Sequence, residues 1–217
     1  MNSLMNKLSA ALALTGCLIA TPASADLQLR AGGTMVYDTV TNLTWITNAA
    51  EGGLRTQADA AAWAASLSFG GFDDWALPTV APVNGSALQM DYSEDGSTDI
   101  GVNNAGLNTQ LGHLYYASLG NAAFGLTNAG PFSGLVDPAD AIGPVFWTDT
   151  SSPVETGWSL AFYMGMGMQD QLAGDTLAHA WAVRVGDVAA VPEPGSIALL
   201  LAGLAGVAGV SRRRRSN

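Results

Sequence analysis

Apolar residues at helical spacing predict two helices in the middle of the chain. The first should begin after Thr56, a helix-capping residue followed three positions later by Asp59. Its apolar stripe at i, i+3, i+4 and i+7 consists of Ala60, Trp63, Ala64 and Leu67. The second is predicted over residues 108–119, with Gly120 able to end it. Its apolar face would carry Leu111, Leu114, Tyr115 and Leu119.

Short apolar runs bounded by turn residues predict strands around these helices. Residues 34–38 and 43–46 form a predicted hairpin, and three later strands are predicted at residues 145–148, 158–164 and 180–185. Two helices among short antiparallel strands indicate an α+β domain. No period of 20–50 residues repeats, so residues 26–190 are predicted to form a single domain.

The N-terminal apolar run is typical of a secretory signal peptide. Lys7 precedes apolar residues 8–20, and Ala23-Ser24-Ala25 forms an A-x-A cleavage site, so residues 1–25 would be removed. Residues 14–17 also resemble a lipoprotein box, which would place a lipid on Cys17. Cleavage after Ala25 is favoured because the apolar run continues past Cys17. It would remove the only cysteine and leave no disulfide or thiolate site.

The C-terminal apolar run, residues 197–210, is shorter than the roughly 20 residues a helix needs to cross a bilayer. Four arginines follow it, and they would remain cytoplasmic and orient the preceding domain outward. They are Arg212, Arg213, Arg214 and Arg215. Pro192, Glu193 and Pro194 precede the run.

This order of Pro-Glu-Pro, a short apolar helix and an arginine cluster resembles a PEP-CTERM sorting signal over residues 191–217. The resemblance implies a Gram-negative bacterium, an exosortase as partner and a link to exopolysaccharide and the extracellular matrix. The protein would be exported, held transiently in the inner membrane, and delivered to the cell surface or matrix. An ordinary C-terminal anchor is the alternative.

The predicted domain is strongly acidic. The chain has 18 acidic residues, of which only Glu193 lies outside residues 26–190, and the bases in that stretch are Arg30, Arg55 and Arg184. The stretch therefore has a net charge of −14. Such a charge repels phosphate backbones and argues against nucleic acid as a partner.

One acidic stretch has the spacing of a calcium loop. Asp91, Ser93, Asp95 and Asp99 match positions 1, 3, 5 and 9, and Gly96 matches the turn at position 6. The bidentate glutamate of position 12 is missing. Calcium is therefore a candidate ligand, and the alternative is a solvated acidic loop with Asx turns.

A second resemblance covers most of the domain. Residues 70–79, Gly-Gly-Phe-Asp-Asp-Trp-Ala-Leu-Pro-Thr, are similar to the GGxxDWRLPT signature of the Lcl C-terminal domain family. Residues 38–45, 146–150 and 180–184 agree with other segments of that family in order. The resemblance implies a C-type-lectin-like fold near that of formylglycine-generating enzymes. Ala76 stands where the family usually has arginine. Formylglycine-generating activity is not expected, because the mature chain would have no cysteine.

Catalytic signals are weak. His113 and His179 are expected to be surface or structural residues, and no G-x-S-x-G motif is present. Adjacent Asp73 and Asp74 on a strand would point to opposite faces, so they could not jointly flank one bond. Most of the six tryptophans are expected in the core, with Trp158 as a possible sugar platform.

We therefore expect a non-enzymatic, exported surface or matrix protein whose lectin-like domain binds exopolysaccharide or another matrix protein. Two alternatives stay open from the sequence. One is a periplasmic or surface enzyme that acts on polysaccharide, and the other is a purely structural matrix component.

Overall fold

The computed structural model describes residues 27–136 and 142–188. Its two helices are α1 (Gln57–Ser66) and α2 (Gln110–His113), and a wider π-helical turn, Leu114–Ser118, extends α2. A 3-10 turn lies at Ala31–Gly33. The strands are β1 (Leu27–Arg30), β2 (Met35–Asp38), β3 (Leu43–Ile46), β4 (Leu54–Arg55), β5 (Tyr92–Ser93), β6 (Ile100–Gly101), β7 (Val145–Ser151), β8 (Trp158–Tyr163), β9 (Met168–Ala173), β10 (Ala178–His179) and β11 (Val183–Val185).

The strands form two sheets, which confirms the predicted α+β class. The smaller sheet has the order β1-β2-β3-β11 and is antiparallel throughout. The larger has the order β4-β10-β7-β8-β9-β6-β5. Most strand pairs of this sheet are antiparallel, as predicted, but β10 pairs with β7, and β5 with β6, in parallel. The predicted hairpin is confirmed as β2 and β3.

The last predicted strand is interrupted. Instead of a continuous strand over residues 180–185, β10 belongs to the larger sheet and β11 to the smaller one. The chain passes between the sheets at residues 180–182, all of which are buried. Because β11 pairs with β3, the first and last described segments of the chain meet in one sheet.

Aromatic side chains fill the core between the elements. The rings of Trp45 and Trp181 lie 4.8 Å apart, and Phe132 and Phe146 also contact Trp181. The indole N–H of Trp181 donates to the Ile46 carbonyl at 2.8 Å, so burial leaves its polar atom satisfied. The core location predicted for most tryptophans is confirmed, since Trp45, Trp75, Trp147 and Trp181 are at most 2% exposed.

Helix α1 agrees closely with its prediction. Thr56 Oγ1 accepts from the Asp59 amide at 3.3 Å and donates to the Asp59 carboxylate at 2.8 Å. Ala60 and Ala64 are buried, and Trp63 and Leu67 pack against the core. The cap and the apolar stripe thus fix both the start of the helix and the face that it buries.

The second helix starts at Gln110, later than predicted, because the Thr109 hydroxyl caps it by accepting from the Gly112 amide. Of the two roles predicted for His113, surface or structural, the surface role is wrong because the residue is buried. The residue is 7% exposed, and its Nδ1 lies 2.9 Å from the Ala105 carbonyl oxygen. The preceding loop therefore folds against this face of the helix.

A buried carboxylate organises the long polar loop before α2. Asp99 is 1% exposed, and its two oxygens accept from the Val83 and Gln89 amides at 2.9 and 2.8 Å. The Gln169 side chain donates to the Asp99 carbonyl at 2.6 Å and accepts from Thr109 at 2.7 Å. These bonds supply partners for backbone groups that the loop would otherwise bury unpaired.

The signature stretch, residues 70–79, packs against β11, the last strand of the small sheet. Trp75 and Leu77 are buried, and Ala76 exchanges two backbone hydrogen bonds with Val183 at 2.9 Å each. Asp74 accepts two hydrogen bonds from Arg184, at 2.7 and 2.9 Å. The same guanidinium lies 4.1 Å from the centroid of the Phe72 ring.

The last described residues are held in place by an ion pair and by burial. The Asp187 carboxylate accepts from Arg30 at 2.8 and 3.0 Å, and Val188 is buried. Within the described ranges, no helix is both long enough and apolar enough to cross a membrane. The signal-peptide prediction and the apolar run at residues 197–210 lie outside the described residues.

Removal of the central indole should destabilise the domain strongly. We expect Trp181→Ala to lower the free energy of unfolding by about 3–5 kcal/mol, because it leaves a cavity between the sheets. Urea unfolding measures this value. Trp158→Ala serves as the matched control, because Trp158 is 37% exposed and should change stability little. Equal losses for both variants would contradict the assignment of Trp181 to the core.

The two ion pairs should make stability depend on pH. Hydrogen bonds from Arg184 and Arg30 lower the pKa of Asp74 and the pKa of Asp187 below their ordinary values. Their contribution is therefore present above the unfolded pKa, near 3.9, and is lost as pH falls through the folded pKa. Since both carboxylates are exposed, each pair should contribute at most about 1 kcal/mol.

We expect Asp74→Asn with Asp187→Asn to be less stable than the original protein at pH 7 and nearly equal to it at pH 2. Urea unfolding at the two pH values measures the difference. A stability gap that is the same at both values would show that these carboxylates do not carry the pH dependence.

Candidate binding site

A surface cavity of about 320 Å³ opens between the start of α1 and the neighbouring ends of β7, β8 and β9. Its polar and aromatic walls come from Gln57, Ser151, Ser152, Trp158 and Ser159, and the rest of its lining is alanine and glycine. Every lining side chain is uncharged. Within an acidic domain, this is a neutral concave surface of roughly the size that small ligands occupy.

An irregularity in β7 shapes one wall of the cavity. The register between β7 and β8 shifts between Trp147 and Ser151, after which Ser151 faces Ser159 directly. Directly opposed residues project from the same face of a sheet, so the two hydroxyl groups lie side by side. Bulges of this kind commonly re-aim side chains beside functional sites.

Backbone hydrogen bonds fix the remaining walls. The Ser152 amide donates to the Trp158 carbonyl at 2.9 Å, and the Gly174 amide donates to the Gly157 carbonyl at 2.8 Å. The Gln57 amide, in the first turn of α1, donates to the Gly174 carbonyl at 2.9 Å. Backbone hydrogen bonds thus join the helix to the strands and hold the walls of the cavity together.

Two hydroxyl groups in the cavity have unused hydrogen-bonding capacity. Ser159 is 5% exposed, and neither its hydroxyl nor that of Ser151 bonds to any residue in the described ranges. Ser152 differs, because its hydroxyl donates to Gln171 Oε1 at 2.7 Å and accepts from two backbone amides. The Ser159 hydroxyl is not among the buried polar atoms that lack a partner, so it is accessible to solvent or to a ligand from the cavity.

Trp158 gives the cavity an aromatic wall. It is 37% exposed, whereas four of the other five tryptophans are almost completely buried. An indole ring offers an apolar face and an N–H donor, a combination common in binding sites. The sequence indicated Trp158, but Ser159 and Gln57 could not be found without knowing the strand pairing and the position of α1.

The predicted calcium loop is held mainly by its own hydrogen bonds. Ser93 Oγ accepts from the Thr98 amide at 3.3 Å, and Asp95 accepts from the Ser97 amide at 3.0 Å. Hydrogen bonding with Ser97 lowers the pKa of Asp95. Gly96 adopts the predicted sharp turn, with φ of 74°.

The structure does not gather the predicted calcium ligands into one cluster. Among residues 27–136 and 142–188, no group of three His, Cys, Asp or Glu side chains is placed to hold a metal ion. Asp99 directs its carboxylate to the amides of Val83 and Gln89, whereas Asp91 and Asp95 are exposed. Calcium binding stays a prediction for this loop.

A second surface cavity, of about 240 Å³, lies beside Ala76 and is lined by residues that include Asp74, Gln110 and Arg184. This cavity borders position 76, where the Lcl C-terminal domain family, which residues 70–79 resemble, usually has arginine. Since Arg184 already forms two hydrogen bonds with Asp74, the carboxylate on this wall has a cationic partner without an arginine at position 76.

The remaining predicted sites lie outside the described residues. They are Cys17, the sorting residues Pro192, Glu193 and Pro194, and the arginines Arg212, Arg213, Arg214 and Arg215.

Comparison with known families identifies the tail of the chain. A family model for the PEP-CTERM protein-sorting motif matches residues 190–215. The motif implies export through the membrane, an exosortase partner and a cell-surface or extracellular destination in a Gram-negative bacterium. No curated protein and no solved structure matches the chain.

The calcium prediction can be tested by calorimetry. If Asp91, Ser93 and Asp95 bind the ion, we expect weak binding, with Kd on the order of 10⁻⁴–10⁻³ M, as in extracellular modules. Asp91→Asn with Asp95→Asn should abolish the signal, whereas Asp73→Asn with Glu155→Gln should retain it while changing net charge equally. Absence of calcium-dependent heat in the original protein would contradict the prediction.

Proposed function

We propose that the protein is a surface or matrix component whose acidic domain binds polysaccharide without catalysing a reaction. The observation that carries this proposal is the neutral cavity whose lining includes Trp158 and the two serines Ser151 and Ser159. The PEP-CTERM motif supports it, because an exported protein meets polysaccharides outside the cell.

The chemistry of the cavity suits a sugar ring. A pyranose has apolar C–H faces and an edge of hydroxyl groups that both donate and accept hydrogen bonds. The indole face of Trp158 could contact the apolar surface. Serine hydroxyls donate and accept, and the carboxamide of Gln57 does both as well, so each can match the hydroxyl edge. The volume of about 320 Å³ is sufficient for one or two rings.

A binding role is favoured over an enzyme acting on polysaccharide. Glycosidases generally place two carboxyl groups about 5–10 Å apart around the bond that they cleave. The residues that line this cavity include no carboxylate. Of the adjacent pair that the sequence offered, Asp74 is hydrogen-bonded to Arg184. A structural component without a specific ligand would leave the solvent-facing Trp158 and the unbonded Ser159 without a role.

The proposal includes two further interpretations of the sequence, one of residues 70–79 and one of the C-terminal apolar segment. The resemblance of residues 70–79 to the Lcl C-terminal domain signature favours a lectin-like domain. The apolar segment at residues 197–210 would hold the protein in the inner membrane, with Arg212–Arg215 on the cytoplasmic side, until the exosortase acts. Another matrix protein is the second candidate ligand.

Loss of the aromatic wall should abolish most of the binding. We expect saturable binding of the producer's exopolysaccharide, and Trp158→Ala should weaken it at least about ten-fold, because buried aromatic contacts dominate binding energies. Phe124→Ala is the matched control, since Phe124 is an exposed aromatic residue, 59% accessible, that does not line the cavity. Calorimetry with purified protein measures both affinities.

Three results would count against the proposal. Equal binding by Trp158→Ala and the original protein would show that the binding site lies outside this cavity. Shortening of the polysaccharide during incubation would favour the enzyme. Absence of binding to any glycan would favour the structural role or a protein ligand.

A further inference from the structure

The exit segment, residues 186–188, is bound to the small sheet just before the sorting motif. The Gly186 amide donates to the Asn42 carbonyl at 2.8 Å, and the Thr44 hydroxyl donates to the Gly186 carbonyl at 2.6 Å. Val188 is 3% exposed and belongs to the main hydrophobic core. The exit segment is therefore part of the folded domain and does not act as a linker.

A chain of side-chain contacts surrounds the exit segment, and we call its four residues the exit surface. Arg30 donates two hydrogen bonds to the Asp187 carboxylate, and its guanidinium lies 5.5 Å from the centroid of the Tyr37 ring. The Tyr37 hydroxyl in turn donates to Asn42 Oδ1 at 2.9 Å. Asn42 and Asp187 are exposed to solvent, and tyrosine and arginine are enriched in protein–protein interfaces. These contacts join β1, the β2–β3 hairpin and the exit segment into one polar surface.

The sorting motif lies close to this surface. Three residues, 189–191, separate Val188 from Pro192. An extended chain spans at most about 3.6 Å per residue, so Pro192 lies within about 14 Å of Val188 for any conformation of the intervening residues. A single α-helix with its side chains is about 10–12 Å across. The gap between the domain and the motif thus has room for little more than one layer of a bound enzyme.

We propose that the exosortase contacts the exit surface while it holds the sorting motif. An enzyme that binds Pro192, Glu193 and Pro194 surrounds a peptide that the short spacing keeps beside the domain, so the contact follows from geometry. The exit surface is therefore the part of the domain that the enzyme meets. This inference rests on the sorting motif and is independent of the proposed polysaccharide binding.

Site-specific photo-crosslinking in the producing bacterium tests the inference. A benzophenone amino acid replaces Val185, which adjoins Gly186, or Val40, which lies two residues before Asn42, in the full-length chain. The two valines are 68% and 46% exposed. The matched control replaces Val154, which is 61% exposed and lies between β7 and β8 of the large sheet.

We expect exosortase adducts from positions 40 and 185 to exceed those from position 154 at least about ten-fold, because a short tether concentrates the enzyme beside its attachment point. Equal yields from the three positions would overturn the inference. Lipid adducts at positions 40 and 185 in place of exosortase adducts would also overturn it, because the membrane would then occupy the exit surface. Absence of adducts at every position while the tail is still processed would have the same consequence.

A longer spacer separates enforced contact from chance encounter. Ten Gly and Ser residues are inserted between Ala190 and Val191, which extends the spacer from three residues to thirteen. Effective concentration falls roughly as the −3/2 power of linker length, so adducts at positions 40 and 185 should decrease at least about five-fold. The same ten residues inserted between Gly85 and Ser86, in an exposed loop, should leave the adducts unchanged. Undiminished adducts with the longer spacer would overturn the inference that the short spacing causes the contact.

Discussion

The antiparallel pairing of β11 with β3 brings Trp181 against Trp45, and this contact closes the domain. The two tryptophans are distant in sequence, so their contact depends on the whole chain between them. Phe132 and Phe146 pack on the same indole, which connects the small sheet to the large one. Because one ring is shared between the sheets, their relative position is fixed by packing in a single core.

That closure also fixes the position of the cavity. Just before the chain reaches β11, it forms β10, which lies between β4 and β7 in the large sheet. This arrangement holds the segment before α1 beside β7, where the indole N–H of Trp147 donates to the Arg55 carbonyl at 2.9 Å. The first turn of α1 is thereby placed against the ends of the strands, and Gln57 becomes part of a wall with residues from β7 and β8.

Charge is distributed unevenly over the domain in a way that matters for function. Two of its three arginines lie in the small sheet and are paired with Asp187 and Asp74. The lining of the cavity beside the start of α1, in contrast, contains no charged residue. Such an acidic surface repels acidic polymers, and the uncharged cavity is the part of it that the proposed polysaccharide binding would use.

The sequence by itself determined the local secondary-structure elements and the sorting signal. The cap at Thr56 with its apolar stripe, the β2–β3 hairpin and the buried tryptophans depend on neighbouring residues and on burial preferences, which a linear pattern records. The sorting motif is likewise contiguous. Only the tertiary structure decided the break between β10 and β11 and the burial of His113. It also decided that Asp99 accepts hydrogen bonds from the amides of Val83 and Gln89, and that Ser151 pairs with Ser159. The physical reason is that each of these depends on how separate elements and loops pair and pack, including a shifted strand register and loops folded back on themselves or onto a helix, which no local periodicity encodes.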